Sequence, residues 1–319
     1  MRRKRISGFA VVIAALTGAC SDNETVVARG DRLWADSNFV GARAEYRLAV
    51  AQRGDDDALA RLAHAYSRTG ELEPAREAYE ALVAREPRYA AQAAADYLHL
   101  ARRARARSDE YGLARAVEAA LAVRPGIRLP EFELPLARYY RGRGDAERAR
   151  EHYRRALLVL PGDSAPRLLY EMGLLEESQG DCRRAIELLD GARAQARRSG
   201  SSEGGGPYRQ MMTESRWHLG NCSFQLAQDA RGAGRVTEAL ELFERMIGLG
   251  EPENLLDQAW FDRGETLYGI GRFDEALVAY RQVLERNPTR AGQLVERARR
   301  RIDDIRFSTP AGDADRAIP

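Results

Sequence analysis

Cysteines and histidines are the side chains of this sequence best suited to metal binding or covalent chemistry. The four histidines are scattered along the chain: His64, His99, His152 and His218. No cluster of His, Cys and carboxylate residues has the short spacings that are typical of a metal site. We therefore expect no metal and no cofactor, which leaves the three cysteines, Cys20, Cys182 and Cys222, as the candidates for covalent chemistry.

A serine nucleophile is a second chemical possibility. The segment GSSEG at 200–204 has the G-x-S-x-G spacing of a nucleophile elbow, with Ser202 at its centre. Such an elbow needs a strand before the serine and a helix after it. The preceding residues, RRAIELLDGARAQARR, have helical spacing, and glycines follow. We therefore favour a flexible Gly/Ser loop at 199–207 between two helices, and a serine hydrolase is the less favoured alternative.

The N-terminal residues have the organisation of a secretory signal peptide. Four cations at 2–5 precede an uncharged run at 6–19. This run has 14 residues, and a membrane-spanning helix needs roughly 20. A basic segment, a short apolar segment and small residues before Cys20 are typical of a cleaved signal. The alternative is a buried N-terminal helix of a cytosolic protein, which four consecutive cations disfavour.

The sequence LTGAC at 16–20 resembles the lipobox of bacterial lipoproteins. This resemblance implies removal of the signal peptide at 1–19 and attachment of a palmitate-type lipid anchor to Cys20. With Ser21 next in the chain, it also implies sorting to the outer membrane, with the protein facing the periplasm. Secretion without a lipid is the alternative.

The charge balance gives no support for nucleic-acid binding. The chain has 50 Lys and Arg against 48 Asp and Glu. Removal of residues 1–19 takes away four cations, so 46 remain against 48, a net charge of −2. A nearly neutral mature chain lacks the positive charge that attracts nucleic acid.

A pattern of small, aromatic, glycine and proline residues recurs at 61–87, 135–161 and 262–288. A small residue is followed by a large apolar residue at +3, glycine at +7, alanine at +12 and tyrosine at +16, and a proline closes each segment. Steps of three and four residues place apolar side chains on one face of each of two helices, and the glycine suits the turn between them. Such helix pairs must stack to bury their apolar faces.

This pattern resembles the tetratricopeptide repeat, a helix-turn-helix unit of 34 residues. The resemblance implies an all-α fold, a right-handed α-solenoid of about seven such repeats with a C-terminal capping helix. The repeats are expected at about 23–56, 56–89, 94–127, 130–163, 166–199, 208–253 and 257–290. A capping helix at 289–307 and a disordered tail at 308–319 follow. In the sixth repeat we take Gly220 as the small residue; it lies 19 residues before Ala239, so longer helices are expected there.

In this family the first helices of the repeats line a concave groove, and the resemblance implies that their residues outside the packing pattern bind peptides. In the second to fifth repeats these residues are His64, Arg68, Leu98, Arg102, Arg105, Leu134, Arg138, Arg141, Tyr170 and Leu174. Arginines interleaved with leucines and a tyrosine suit an extended peptide that carries acidic groups. A solvated arginine face is the alternative.

Two further sets of residues are placed by the repeats. Cys182 and Cys222 fall on helices that we expect to be antiparallel neighbours, so either a disulfide or two buried free thiols is expected. The three tryptophans are expected to be packing residues: Trp34, Trp217 and Trp260.

The resemblances together imply a lipid-anchored periplasmic scaffold or adaptor that is not an enzyme. It would bind other cell-envelope proteins through its groove, in β-barrel, secretin, pilus or peptidoglycan assembly. A self-associating structural protein of the envelope is the alternative. The sequence leaves both the partner and the oligomeric state open.

Overall fold

The structure, a computed structural model, describes residues 25–287, 289 and 291–308. All of the regular secondary structure in these residues is helical. The chain forms two compact units, which meet in sequence between Ile127 and Arg128. The predicted signal peptide, Cys20 and the predicted tail beyond Ser308 lie outside the described residues.

The first unit contains three antiparallel helix pairs. Its helices are α1 (Val26–Ala35), α2 (Phe39–Arg53), α3 (Asp56–Thr69), α4 (Leu72–Arg85), α5 (Ala90–Ala106) and α6 (Glu110–Val123), with a 3-10 turn at Pro87–Tyr89. Each odd-numbered helix is the first of its pair, and we call it the A helix; its even-numbered partner is the B helix.

The second unit contains four helix pairs and a last helix. Its helices are α7 (Glu133–Gly142), α8 (Ala146–Val159), α9 (Ala165–Ser178), α10 (Cys182–Arg198), α11 (Arg209–Gly232), α12 (Val236–Leu249), α13 (Glu253–Gly269), α14 (Phe273–Arg286) and α15 (Gln293–Ser308). A 3-10 turn at Gly162–Ser164 precedes α9. The predicted all-α, α-solenoid fold class with a final capping helix is confirmed.

The sequence marks the ends of many helices. The side chains of Asp55, Asp109 and Asp181 each accept a backbone N–H from the first turn of the following helix. At the turn between α3 and α4, Gly70 has φ +94°, and its N–H donates to the carbonyl of Tyr66. Glycine adopts this left-handed conformation without steric cost, which explains its place in the repeat pattern.

The repeated tyrosine fills the space beside the repeated small residue. Tyr79, Tyr153 and Tyr280 are each 0% exposed. A Cβ atom added at Gly264 on α13 would lie 2.7 Å from the Tyr280 ring, too close for a real contact. The small residue on the A helix therefore makes room for the aromatic ring from the B helix, as the spacing predicts.

The sixth pair differs from the prediction in one respect. The residue that packs against the B helix is Ala227, which is 0% exposed and lies in one apolar cluster with Phe243. Ala227 lies 12 residues before Ala239 and seven before Gly234, as the repeat pattern requires. Taking Gly220 as this residue was therefore wrong. The extra two turns belong to α11 alone, which has 24 residues against 14 for α12.

The last helix covers the apolar surface of the seventh pair. Val295, Ala298, Ile302 and Ile305 on α15 pack into the cluster that contains Tyr280. The outward side of α15 is rich in arginine, so the stack ends in a polar surface.

Candidate functional site

The surface of interest is the face formed by the A helices in each unit, because the predicted groove residues all lie on α3, α5, α7 and α9. We call it the A-helix face and describe each unit by itself. In the first unit Arg68, Arg102 and Arg105 are exposed. Leu98 is only 8% exposed and packs inside the repeat stack, so its assignment to the groove surface was wrong.

A cluster of cations lies at the C-terminal ends of α3 and α5. The guanidinium of Arg103 donates to the main-chain carbonyl of Arg68. Partial burial and the nearby charges of Arg68, Arg103 and Arg102 hold the pKa of His99 below its usual range, against the opposing effect of Asp96. The A-helix face of the first unit therefore includes a positively charged area. The sequence predicts that an acidic peptide binds there.

His64 is held by an internal partner. Its Nδ1 lies 2.7 Å from Oδ2 of Asp96 on the next A helix, and the hydroxyl of Tyr79 donates to the same carboxylate. Asp96 is 5% exposed, so both bonds satisfy a carboxylate that is otherwise cut off from water. His64 thus links two neighbouring A helices.

The second unit repeats this arrangement around Glu171 on α9. Arg138 donates to both carboxylate oxygens, at 2.7 and 3.0 Å, and the Tyr153 hydroxyl donates at 2.9 Å. Arg141 lies 3.9 Å from the same carboxylate. Two of the arginines predicted to bind an acidic peptide therefore already have a carboxylate partner within the chain.

The tyrosines of the first and last pairs make the same kind of bond. Tyr46 donates to Asp31 at 2.7 Å, and Tyr280 donates to Glu265 at 2.6 Å. Arg301 of α15 holds Glu265 with two bonds, at 2.8 and 2.9 Å. The repeated tyrosine thus fills space and also positions a carboxylate that pairs with a cation on a neighbouring helix.

The spacing of charged residues in the sequence is itself a signal for these pairs. The partners are about one repeat length apart, with separations of 33 residues for Arg138 and Glu171 and 31 for Arg231 and Asp262. Opposite charges one repeat apart on A helices are brought side by side when the repeats stack.

The network around Glu171 predicts a loss of stability in acid. Burial alone would raise the pKa of Glu171, but the bonds from Arg138 and Tyr153 hold it below its ordinary value. Because the folded pKa is lowered, the stabilisation is complete above the ordinary glutamate pKa of about 4.3 and is lost as pH falls through the folded value.

We expect Glu171→Gln to lower the free energy of unfolding by about 1–3 kcal/mol at pH 7, because a charge-assisted network is broken. The difference from the wild type should shrink as pH falls below about 4 in urea titrations. Glu187→Gln is the matched control: Glu187 is 58% exposed and pairs with Arg184 on its own helix. A Glu171 effect that stays constant from pH 7 to pH 3 would contradict the network.

Tyr170 and Leu174 lie on α9, and both are half-buried. The Tyr170 hydroxyl donates to Glu214 of α11 at 2.9 Å. Nearby on α11, Trp217 is 45% exposed, so the prediction that it is a packing residue was wrong. Its position outside the repeat pattern, ten residues before Ala227, was the available signal.

Ser202 lies in the loop between α10 and α11, and no strand precedes it. The loop is tied to both helices by Glu203, which accepts from Arg193 at 2.7 Å and from Arg216 at 3.1 Å. The backbone around Ser202 therefore lacks the strand-turn-helix geometry of a nucleophile elbow.

Cys182 and Cys222 are joined in a disulfide in the structure, with their Cα atoms 5.0 Å apart. Cys182 begins α10, and Cys222 lies in α11. Both are buried in a small apolar cluster with Ala185. The bridge ties two neighbouring repeats together.

Neither a membrane-spanning helix nor a metal cluster is found in the part of the chain that the structure describes. None of its helices combines the length and the apolar character needed to cross a bilayer. No group of three His, Cys, Asp or Glu side chains is arranged there to hold a metal ion.

Comparison with known proteins identifies the repeats. Residues 56–89, 134–201 and 258–290 match family models described as tetratricopeptide repeat. A comparison with curated proteins gave no match.

Several solved structures are similar to this chain. The crystal structure of MamA protein is 19% identical, over 62% of this chain and 93% of that chain, with a TM-score of 0.33. A thermophilic TPR protein of Thermus thermophilus, TTC0263, is 22% identical, over 61% of this chain and 97% of that chain, with a TM-score of 0.27. The TPR domain of P58(IPK) is 14% identical, over 90% of this chain and 99% of that chain, with a TM-score of 0.33.

The matched residues comprise α3 and α4, the four helices α7 to α10, and the pair α13 and α14. Each match thus falls on helix pairs with the repeat spacing found in the sequence. The chain therefore contains tetratricopeptide repeats at 56–89, 134–201 and 258–290.

Proposed function

We propose that this chain is a lipid-anchored scaffold of the bacterial cell envelope that binds other envelope proteins through its A-helix face. The observation that carries the proposal is the set of exposed arginines Arg68, Arg102 and Arg105 on the A helices of matched and neighbouring repeats. Arginine forms paired bonds to carboxylates and is enriched at the centres of protein interfaces. The binding itself needs no reaction, only complementary shape and charge on a preformed surface.

The lipid anchor is proposed from the sequence at 1–20. The basic residues, the short apolar run and LTGAC support export and acylation of Cys20. The described chain begins with Thr25, which caps α1. Five residues of chain span at most about 18 Å, so the first helix pair would lie close to the outer membrane.

Export is also supported by the Cys182–Cys222 bridge. Disulfides persist in oxidising compartments such as the periplasm and are rare in the cytosol. A bridged pair suits a chain that faces the periplasm.

The binding part of the proposal is tested by affinity capture from detergent-solubilised envelopes. We expect the triple variant Arg68→Ser/Arg102→Ser/Arg105→Ser to capture at least about fivefold less of each protein that the wild type captures, as measured by quantitative mass spectrometry. The control is Arg154→Ser/Arg155→Ser on α8, where both arginines are more than half exposed and pair with Glu151 on their own helix. Equal capture by the wild type and the triple variant would rule out these arginines as the binding surface.

The anchor is tested separately. Metabolic labelling with an alkyne fatty acid should mark the wild type and not Cys20→Ser, and the variant should move from the membrane to the soluble fraction. A labelled Cys20→Ser protein, or a wild type without label, would contradict the anchor and leave the binding proposal to stand by itself.

A further inference from the structure

Trp217 is the tryptophan whose ring is left open to solvent. Its side chain is 45% exposed, whereas Trp34 and Trp260 are half-buried. The Trp34 ring packs against the rings of Phe39 and His64, with centroids 4.8 and 4.7 Å away. Trp260 packs against the core of the last repeat and has the Arg263 guanidinium 5.8 Å from its ring centroid. Both of these indoles are therefore occupied by partners from the chain itself.

The exposed ring is held in place by its neighbours. The centroid of the His218 ring lies 5.1 Å from that of Trp217 and 6.1 Å from that of Tyr170, and both contacts are edge-on. Nδ1 of His218 is bonded to Glu177 of α9, and Asn221 donates to the other oxygen of that carboxylate at 3.0 Å. The indole thus stands on a fixed base, which lowers the entropy cost of binding to it.

Two carboxylates lie beside these rings without an arginine partner. Glu177 is bonded to His218 and Asn221, and Glu214 accepts from Tyr170 at 2.9 Å and from Gln210 at 2.7 Å. Among the described residues, no arginine lies within ion-pair distance of either carboxylate. By contrast, the A-helix carboxylates Glu171, Asp262 and Glu265 are each held by an arginine. These two carboxylates give the patch a negative charge.

An exposed aromatic ring beside carboxylates is suited to a cation. A guanidinium over an indole gains from the ring's quadrupole, and nearby carboxylates add a direct charge attraction. The chain already contains such contacts, since the guanidiniums of Arg297 and Arg301 lie 4.4 and 4.7 Å from the ring centroids of Phe261 and Tyr268. At Trp217 the ring and the carboxylates are present, and among the described residues no guanidinium lies over the ring.

We propose that Trp217, Tyr170, Glu177 and Glu214 form a docking point for an arginine side chain in an extended, basic segment of a partner protein. The inference rests on the proposed scaffold function and adds a second, oppositely charged contact to it. The first unit offers arginines to acidic groups of a partner, and this patch in the second unit offers carboxylates and an aromatic ring to basic groups.

The test uses the mature chain with 15N-labelled tryptophan and two synthetic peptides at pH 7.5. The peptides are acetyl-(Arg-Ser)4-amide and acetyl-(Glu-Ser)4-amide. The chain has three tryptophans, so three indole N–H signals are expected, and Trp217→Phe assigns one of them. We expect the arginine peptide to shift the Trp217 signal in a saturable way while those of Trp34 and Trp260 stay in place.

The variants Trp217→Ala and Glu214→Gln should each lower the affinity for the arginine peptide by at least about fivefold, as measured by calorimetry. Glu187→Gln, an exposed carboxylate on the B helix α10, is the matched control and should bind as the wild type does. The variant side chains are exposed, so circular dichroism should show the wild-type fold.

Any of four results would overturn the inference. The first is no shift of Trp217 at millimolar arginine peptide, and the second is an equal shift with the glutamate peptide. The third is a shift that follows protein concentration without peptide, which would assign the patch to a second copy of the chain. If Trp217→Ala still captures all wild-type partners from envelopes, the docking point fails while the scaffold function stands.

Discussion

Reduction of the Cys182–Cys222 disulfide is expected to lower the free energy of unfolding by about 4 kcal/mol. The bridge closes a loop of 40 residues, and in the chain-entropy model such a loop restricts the unfolded chain by about this amount. The loop includes all of α10, the glycine-rich segment and the first half of α11. Loss of the bridge should therefore separate the fifth and sixth repeats more readily than the others.

The measurement compares urea unfolding of the oxidised wild type with and without dithiothreitol. Hydrogen exchange should locate the loss of protection in α10 and α11. The double variant Cys182→Ala/Cys222→Ala is the control, because its stability should be low and insensitive to the reductant. Intact mass after alkylation without reductant should show no label on either cysteine. Two labelled thiols, together with unchanged stability in reductant, would contradict the bridge.

Gly220→Ala is expected to destabilise the second unit by about 3 kcal/mol or more. A Cβ atom at this position would overlap the main-chain carbonyl oxygen of Glu251, and Pro252 lies 3.2 Å away. The obstacle is backbone of the segment between α12 and α13, so it cannot turn aside as a side-chain end would. The Cβ atom therefore forces α11 to move away from this segment. Overpacking of this kind costs about 1–3 kcal/mol or occasionally more.

Gly248→Ala is the matched control. Gly248 lies in the helix α12, and a Cβ atom added there meets nothing within 4 Å. Alanine favours a helix over glycine by roughly 0.5–1 kcal/mol, so this variant should be slightly more stable. The measurement is the midpoint of urea-induced unfolding for both variants and the wild type. A Gly220→Ala protein as stable as the wild type would show that the approach of α11 to Glu251 is looser than described.

Most of the fold could be predicted from the sequence because the packing of each pair is decided by side-chain volume at short, fixed spacings. The distance of 16 residues from Gly264 to Tyr280 specifies which ring meets which small residue. The sixth repeat was misread because Gly220 is also a small residue in a helical context. Its own close contact is with Glu251 in the following segment, and Ala227 performs the packing role.

The candidate site was predicted less well, because it depends on which charges meet after the repeats stack. Arg138 looks available in the sequence, but Glu171 arrives beside it from the next A helix. Trp217 looks like Trp260, but it lies in the additional turns of α11 and is 45% exposed. The periodicity of the sequence describes packing inside one helix pair. The partner of Arg138 and the exposure of Trp217 depend on contacts between neighbouring pairs.

The central claim is that the A-helix face binds other proteins. Its most direct test is photocrosslinking in living cells, with p-benzoylphenylalanine placed at Arg102 or Trp217 on A helices and at Arg154 or Val278 on B helices. All four side chains are exposed in the structure. The account predicts protein adducts of defined mass at Arg102 and Trp217 and none at the two B-helix positions. Adducts confined to Arg154 and Val278 would place the binding surface on the opposite face and contradict the account.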